Sequence, residues 1–280
     1  MPVYQYCADE LAVTLQGGLV YRAARAELLN ISKMELHKTK GIVLRTVKYG
    51  ETSLIVTAYT ELFGVQSYLV NGVRASSRKG PGKANLFQPS AILDLVVYHS
   101  DLKNLQRIRE FRWGYLYRHV FFDVMKNAVA LFMVELLQKC LKQPEPNTDL
   151  FNFIEDSFIH LDECGGAVLA NYPLFFAIHL TGFFGFRIQD LYSERSSILD
   201  LQEGIFVAEH PSHQKVLEGS YSYITSQLLR VRQPDELKGL PLNQESRREL
   251  LQAFLTFYGL HVHDFGEMRT LPVLQTILSA

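Results

Sequence analysis

The residues best suited to chemistry in this chain are the cations of a glycine-rich stretch at residues 72–83. Its three glycines and one proline disfavour a helix, and its polar side chains are Arg74, Ser76, Ser77, Arg78, Lys79 and Lys83. Cationic, hydroxyl and backbone N–H groups on such a loop can bind successive phosphates of a polyanion. A solvated hairpin loop explains the same residues equally well, so the charge of the surrounding chain decides between the two.

Charge is divided between two regions, although the net charge is only −1. Residues 38–118 contain thirteen Lys and Arg against five Asp and Glu, a balance of +8. Residues 119–280 contain twelve basic against twenty acidic residues, a balance of −8. We therefore expect the first region to attract nucleic acid or another anionic surface and the second to avoid it.

Catalytic and metal-binding sites find little support. His210 lies close to His213, and His261 to His263, but neither pair has a thiolate or second carboxylate at ligand spacing. Surface or capping roles are therefore favoured for these histidines. No Walker glycine loop, GxSxG elbow or HExxH motif occurs. We expect no enzyme activity, no catalytic residue, no metal and no cofactor.

The cysteines and the apolar segments indicate a cytoplasmic protein. Cys7, Cys140 and Cys164 are too few and too scattered for a disulfide framework, and they suit a reducing compartment. Cys140 and Cys164 are more readily explained as packing residues than as nucleophiles. No signal peptide is evident, and the longest apolar run, residues 174–186, is too short to span a bilayer. We predict a buried helix there and no membrane association.

The elements that must position the basic loop are strands. A two-residue period with β-branched and aromatic residues predicts strands at 41–48, 53–60, 65–70, 91–98 and 104–113. Five short strands with glycine turns predict a small barrel of the oligonucleotide-binding (OB) type. An SH3-like barrel is the alternative, because periodicity alone does not separate the two.

After residue 113 the period changes to about 3.6, which indicates helices. Helices are predicted at 120–141, 148–161, 172–186, 214–217, 221–230, 243–261 and 271–278, with a hairpin within 196–208 that turns at Glu203-Gly204. The fold class is therefore α+β: a basic five-stranded barrel at 34–113, then an acidic α-helical domain at 114–280. Residues 1–33 show weak periodicity, and we expect a poorly ordered extension or sequence upstream of a start at Met34.

Two arginines on the last strand extend the basic surface. Arg107 and Arg109 alternate with Ile108 and Glu110, which predicts that both arginines lie on one face, with Arg45 as a further contributor. Some aromatic residues of the basic half could stack on bases, although we expect most of them to lie in the core: Tyr49, Tyr59, Tyr68, Phe87, Tyr98, Phe111 and Trp113.

Several strings of residues resemble the bacterial RecO family. At the basic end these are KGIVLRTVKYGETSLIVTAYT at 40–60, Gly64, GVR at 72–74, SR at 77–78 and LFQP at 86–89. Near the other end are FY at 257–258 and DFGEMRTLPVL at 264–274. The resemblance runs in order from about residue 34 to residue 280.

The resemblance implies a DNA repair and recombination mediator built from an OB barrel on a helical domain. Such proteins bind single- and double-stranded DNA, anneal complementary strands and contact the acidic tail of single-strand-binding protein. They pair with RecR to help load RecA, with RecF as a further candidate partner, and they are not enzymes. A nucleoid-associated cytoplasmic location follows from this role.

One departure from the family concerns zinc. Many relatives carry a four-cysteine zinc module in the helical domain, but residues 186–213, the corresponding stretch, contain no cysteine. We therefore predict no zinc there, and we interpret the Glu203-Gly204 hairpin as the metal-free remnant.

Taken together, the loop, the strands and the resemblance predict these DNA-binding residues: Lys38, Lys40, Arg45, Lys48, Arg74, Ser77, Arg78, Lys79, Lys83, Arg107, Arg109 and Arg112. The acidic tail of single-strand-binding protein requires an apolar groove with a few cations, for which Lys126, Lys139 and Lys142 on the first long helix are candidate rim residues. The alternative function is a protein-interaction adaptor whose basic barrel docks an acidic partner. A membrane-surface binder is disfavoured, because no basic amphipathic helix is predicted.

Overall fold

A computed structural model describes residues 35–74, 83–142 and 145–278. The prediction for residues 1–33 lies outside the described residues. The described chain begins with five strands, followed by helices: β1 Glu35–Tyr49, β2 Ser53–Thr60, β3 Gly64–Val70, β4 Ile92–His99 and β5 Leu105–Trp113.

The five strands form one sheet that closes on itself in the order β1-β2-β3-β5-β4. Strand β1 is long enough to pair with β4 along its first half and with β2 along its second half. The β3–β5 pair is parallel and joins strands that are not consecutive, whereas the other pairs are antiparallel. Such a Greek-key connection is a feature of the OB fold, so the prediction of a five-stranded OB-type sheet is confirmed.

Alternating side chains fill the inside of the sheet. Val43, Val56, Tyr68, Leu95 and Val97 are buried together in this interior. In contrast, Ile42, Leu44, Tyr59 and Ile92 point outward and belong to the core of the helical part. The alternation explains why β2 was predicted with the bounds that the structure has. Strand β1 begins six residues before the predicted start, because its polar first segment pairs with β4.

Six α-helices and a small sheet follow. The helices are α1 Val124–Cys140, α2 Thr148–Glu163, α3 Gly166–Leu180, α4 Gly219–Arg230, α5 Gln244–His261 and α6 Thr270–Ile277. Short 3-10 helices span Lys83–Phe87, Thr181–Phe183 and Pro234–Gly239. The small sheet has the order β7-β6-β8, with β6 at Ile198–Asp200, β7 at Ile205–Val207 and β8 at Val216–Leu217.

Two predictions in the helical part were wrong. Helix α3 lies six residues before the predicted 172–186, because it begins at Gly166, which has a positive φ of 56°, and continues through Pro173. Residues 214–217 do not form a helix, since Val216 and Leu217 pair with β6 as strand β8. The predicted hairpin is present as β6 and β7, and Gly204 in its turn has a φ of 68°.

The segment Gly166–Phe183 is long and apolar enough to cross a membrane by composition alone, but 67% of it is buried inside the protein. It packs against α1, α5 and the Pro234–Gly239 helix. The prediction of a buried helix in this apolar region therefore holds, although its bounds were displaced.

Helix α1 holds the C-terminal segment in place. The Glu135 carboxylate accepts hydrogen bonds from the backbone N–H groups of Arg269 and Thr270, both at 2.8 Å, and from the Thr270 hydroxyl at 2.6 Å. One turn later, Lys139 Nζ donates to the Phe265 carbonyl oxygen at 2.6 Å. Burial would raise the pKa of Glu135, but the Thr270 and Arg269 hydrogen bonds outweigh it, so the pKa is lowered.

The junction between the sheet and the helices depends on Asp162, at the end of α2. Its fully buried carboxylate accepts hydrogen bonds from the backbone N–H groups of Arg118, His119 and Val120 at 2.7–2.8 Å. Lys126 Nζ donates to the Asp162 carbonyl oxygen at 2.5 Å. The segment that leaves β5 is thereby fixed to α1 and α2.

Further contacts complete the junction. The Tyr59 hydroxyl donates a hydrogen bond to the Asn147 carbonyl oxygen at 3.2 Å. The Tyr117 hydroxyl donates to the Ser90 carbonyl oxygen at 2.8 Å. Gln138 Nε2 donates to the Leu44 carbonyl oxygen. The sheet therefore sits against the helices in a defined orientation.

We predict that Asp162→Ala lowers the free energy of unfolding by about 3 kcal/mol, because three backbone donors lose a charged acceptor. Burial would raise the pKa of Asp162, but the backbone hydrogen bonds outweigh it, so the pKa is lowered. A lowered folded-state pKa stabilises the fold above pH ~4, and this contribution is lost as the pH falls further. Urea unfolding should show that the variant and wild type differ less in free energy of unfolding at low pH than at pH 7. The exposed Asp156→Asn on the same helix is the control, and equal losses for both variants would contradict the prediction.

Candidate nucleic-acid interface

Ion pairs neutralise one side of the barrel. Lys40 Nζ lies 2.8 Å from the Glu155 carboxylate of α2, and Arg112 lies 2.9 Å from Asp94 of β4. Arg109 lies 3.4 Å from its neighbour Glu110. We call this side the paired face: Lys38, Lys40, Arg109 and Arg112 with Glu61, Asp94, Glu110 and Glu155.

The paired face has little net charge, because its four cations are matched by four carboxylates. The hydrogen bond that Lys40 donates to Glu155 raises the pKa of Lys40 against the opposing effect of burial, and the charges of Glu155, Glu61 and Asp94 add to this rise. Lys38 is exposed and has no ion pair among the described residues, but Val96, its partner on β4, pairs in turn with Glu110. Lys38, Lys40, Arg109 and Arg112 therefore do not form the expected strip of free cations.

A bulge in β5 explains why Arg109, unlike Arg107, is not free of carboxylates. Val97 pairs with Ile108 but Val96 pairs with Glu110, so Arg109 is an extra residue between them. Arg109 and Glu110 are both exposed as a result, and they pair with each other. Arg107 lies beyond the bulge, beside Leu69 of β3, and is free of this carboxylate. Alternation in the sequence cannot show such a bulge.

The remaining described cations among the predicted DNA-binding residues form what we call the unpaired set: Arg45, Lys48, Arg74, Lys83 and Arg107. None of them has an ion pair with a carboxylate in the part of the chain that the structure describes. Arg45 lies on β1 opposite Thr57 of β2, which pairs in turn with Ser67 of β3. Lys48 follows near the end of β1, beside the turn into β2.

Arg74 and Lys83 stand where the glycine-rich loop leaves the sheet. The backbone N–H of Arg74 donates to the Thr52 carbonyl oxygen at 2.9 Å, and its guanidinium donates to that of Gly50 at 3.0 Å. Ala84 N–H donates to the Val73 carbonyl oxygen at 3.2 Å, so the two stems of the loop are joined. Lys83 Nζ lies 5.9 Å from the centre of the Phe111 ring. Ser77, Arg78 and Lys79 lie outside the described residues.

Apolar side chains lie between Arg45 and Arg107 on the outer surface. Val47, Ile55, Leu69 and Arg107 follow one another across β1, β2, β3 and β5 in the strand register. Val47 is 43% exposed, and Tyr49 on the same side of β1 is 53% exposed. We call this surface the strand face: Arg45, Val47, Tyr49, Ile55, Leu69 and Arg107. Cations around apolar and aromatic side chains suit a single nucleic-acid strand, whose phosphates and bases need both.

The aromatic residues of the barrel divide as expected. Tyr59, Tyr68 and Phe87 are buried in the core, whereas Tyr49 is exposed. Burial raises the pKa of both Tyr59 and Tyr68 to about 12. Tyr49 is therefore the best placed of these aromatics to stack on a base. The sequence analysis missed the apolar contribution of Val47, Ile55 and Leu69, because it considered only aromatic side chains as contacts for bases.

The predicted rim lysines do not form a rim. Lys126 is buried and bonded to Asp162, which excludes it from a docking surface. Lys139 is half-buried, bonded to the Phe265 carbonyl oxygen, and lies 5.3 Å from the Phe265 ring centre. Only Lys142 is exposed, and it faces a cleft beside the barrel. A lysine on an amphipathic helix can serve packing, and the sequence does not distinguish that role from binding.

A different groove on the helical part has the expected chemistry. It has a volume of about 950 Å³, with an apolar wall that includes Phe153, Phe175 and Ile178. Arg187 and Arg232 line it, are exposed and have no ion pair among the described residues. We call it the helical groove. Its third arginine, Arg230, pairs with Asp190 at 2.6 Å and is already neutralised.

Three of the histidines singled out in the sequence each lie beside one carboxylate among the described residues. His210 lies 2.5 Å from Glu218, His213 lies 3.4 Å from Asp200, and His263 lies 2.9 Å from Asp264. Within residues 35–74, 83–142 and 145–278, no group of three or more His, Cys, Asp or Glu side chains is arranged to hold a metal ion.

Comparison with known proteins places both parts of the chain in one family. Residues 34–116 match the family described as recombination protein O N terminal, and residues 122–268 match recombination protein O C terminal. A protein of Christiangramia forsetii named DNA repair protein RecO is 32% identical over 243 residues, which are 85% of this chain and 98% of that protein. The protein of that name from Phocaeicola vulgatus is 31% identical over 244 residues, 87% of this chain and 100% of that protein.

We predict that Arg45→Ala/Arg107→Ala elutes from heparin at a clearly lower salt concentration than wild type, because it removes two unpaired cations from the strand face. The matched variant Lys40→Ala/Arg112→Ala removes the same number of charges from the paired face and should elute near wild type. Equal shifts for both variants would show that net charge, not its location, governs binding.

Proposed function

The chain belongs to the RecO family and acts in DNA repair and recombination, and from this premise we propose that it is a recombination mediator. In this proposal it binds single- and double-stranded DNA and anneals complementary strands. With RecR, it helps to load RecA on DNA coated by single-strand-binding protein. We propose residues 34–113 as the DNA-binding domain and residues 114–280 as the helical domain.

The observation that carries the proposal is the unpaired set beside the glycine-rich loop. Its cations replace condensed counterions when they meet phosphates, so affinity should fall steeply with salt. The cations of the strand face can bind phosphates, which carry no sequence information, so we propose binding without sequence readout. The paired face carries little net charge and attracts phosphates weakly. We therefore expect phosphates to bind the unpaired set instead.

Annealing follows from the same electrostatics. Two complementary strands repel each other through their phosphates, and this repulsion slows their encounter. A surface that neutralises phosphates of both strands lowers this repulsion, so annealing needs no ATP hydrolysis. The proposed role accordingly assigns no catalytic residue to the chain, and we propose a nucleoid-associated cytoplasmic location.

The helical groove supports a second contact of the same function. The tail of single-strand-binding protein is acidic and ends in a carboxylate, as the family resemblance implies. Arg187 and Arg232 can bind carboxylates at the groove, while the wall with Phe153 and Phe175 can hold an apolar side chain. The groove replaces Lys126 and Lys139 as the proposed docking site.

The salt dependence of DNA binding tests the main proposal. We predict that Arg74→Ala/Arg78→Ala/Lys79→Ala reduces the slope of log affinity against log salt by about 2, from about 0.7 for each lost contact with a single strand. Filter binding to mixed-sequence single-stranded DNA measures it, with Lys38→Ala/Lys40→Ala/Arg112→Ala as the matched control of small effect. Absence of wild-type binding at low salt would favour the adaptor alternative instead.

We predict that Arg187→Ala or Arg232→Ala weakens binding of an acidic peptide with an apolar C-terminal residue by about tenfold, because a charge-assisted contact is lost. Amidation of the peptide carboxylate should have a similar effect, and DNA affinity should stay unchanged. Fluorescence anisotropy with a labelled peptide provides the measurement. The exposed Arg195→Ala is the control, and unchanged peptide binding in both groove variants would contradict this docking site.

A further inference from the structure

A cleft of about 570 Å³ lies where the barrel meets the end of α1. Its walls come from the β2–β3 turn, the start of β3, the β4–β5 loop and Lys142 just after α1. This volume lies within the range of roughly 300–1,000 Å³ that is typical of small-ligand sites. The cleft belongs to neither the strand face nor the helical groove.

Two rings that are stacked face to face line the cleft, and a base would stack on the outer face of this pair. The rings of Phe63 and His99 are nearly parallel, at 13°, with their centres 3.8 Å apart. Both side chains are half-buried and line the cleft. His99 Nε2 lies 3.1 Å from the Asp101 carboxylate, which also lines the cleft. An aromatic wall of this kind offers a surface for stacking a planar ring.

A buried glutamine holds the β4–β5 loop, another part of the cleft wall, in shape. Gln106 accepts a hydrogen bond from the Ser100 backbone N–H at 3.1 Å, and it donates to the carbonyl oxygens of Ser100 at 2.8 Å and Lys103 at 2.6 Å. The β4–β5 loop is thereby preorganised, with the exposed Asn104 amide beside the cleft. An amide can both donate to and accept from a base edge.

The cleft is continuous with the strand face. Ser67 lines the cleft, and its hydroxyl lies 3.5 Å from that of Thr57, which pairs with Arg45 in the strand register. The exposed Lys142 at the cleft has no ion pair among the described residues and can meet a phosphate. A strand that lies across Arg45 and Thr57 would therefore reach the cleft at Ser67.

We propose that this cleft holds one unstacked nucleobase of a single DNA strand. The base stacks on the Phe63–His99 wall, its edge meets Asn104 and Asp101, and its phosphate meets Lys142. A base within a duplex would first have to leave its stack, at a cost of a few kcal/mol. The cleft thus favours single strands over duplex, and this inference rests on the proposed DNA binding.

The first test compares the affinity of the full-length chain for single-stranded DNA and for duplex DNA. It uses substitutions of exposed residues, whose loss should not disturb the fold. Asn104→Ala and Lys142→Ala should each weaken binding of a 12-nucleotide single strand by about fivefold, as expected for one lost contact with the bound nucleotide. The same variants should weaken binding of a 12-base-pair duplex by less than about twofold. Lys215→Ala on the acidic half is the charge control. Equal losses for both DNA forms, or no loss, would overturn the inference.

Photocrosslinking provides a positional readout that does not depend on affinity. A single strand with 4-thiothymidine should crosslink to peptides that contain Phe63 or His99, and Asn104→Ala should reduce the yield. Crosslinks confined to the peptide that contains Tyr49 would overturn the inference while leaving the proposed DNA binding intact. If the wild-type chain binds no DNA at low salt, the proposed function itself fails.

Discussion

The buried carboxylate of Asp162 fixes where the acidic half of this chain meets the basic half. Three consecutive backbone N–H groups of the segment after β5 converge on it, and Lys126 binds the carbonyl oxygen of the same residue. A buried charge with several donors is costly to move, because every donor would lose its partner. Helix α2, which carries Asp162, is therefore held in one place against the barrel.

The consequences reach the surface of the barrel. Glu155 lies on the same helix, and the fixed position of α2 brings it to Lys40, which is 115 residues earlier in the chain. One side of the barrel is then neutral, whereas Arg45 and Arg107 keep their charge on the strand face. A regional balance of +8 in the sequence thus becomes a directional surface because carboxylates of the barrel, together with Glu155 of the helical half, gather on one side of it.

The sequence predicted those features that depend on neighbouring residues. Strand β2 has the predicted bounds because its side chains alternate strictly, and the exposure of Tyr49 agrees with the expectation that few aromatics leave the core. Features that depend on distant residues were missed. Residues 216–217 become a strand only because β6 is available, and Lys126 becomes a buried structural residue only because Asp162 reaches it. No local pattern encodes such partners.

Lysine footprinting with an amine-acylating reagent, with and without single-stranded DNA, is the most direct test of the claim that DNA binds the unpaired set and not the paired face. It compares individual side chains of one wild-type protein, so differences in folding or net charge do not enter. The account predicts that DNA protects Lys48 and Lys83 from modification, whereas Lys38 on the paired face and Lys215 on the helical half stay reactive. Protection of Lys38 with Lys48 and Lys83 still reactive would contradict it.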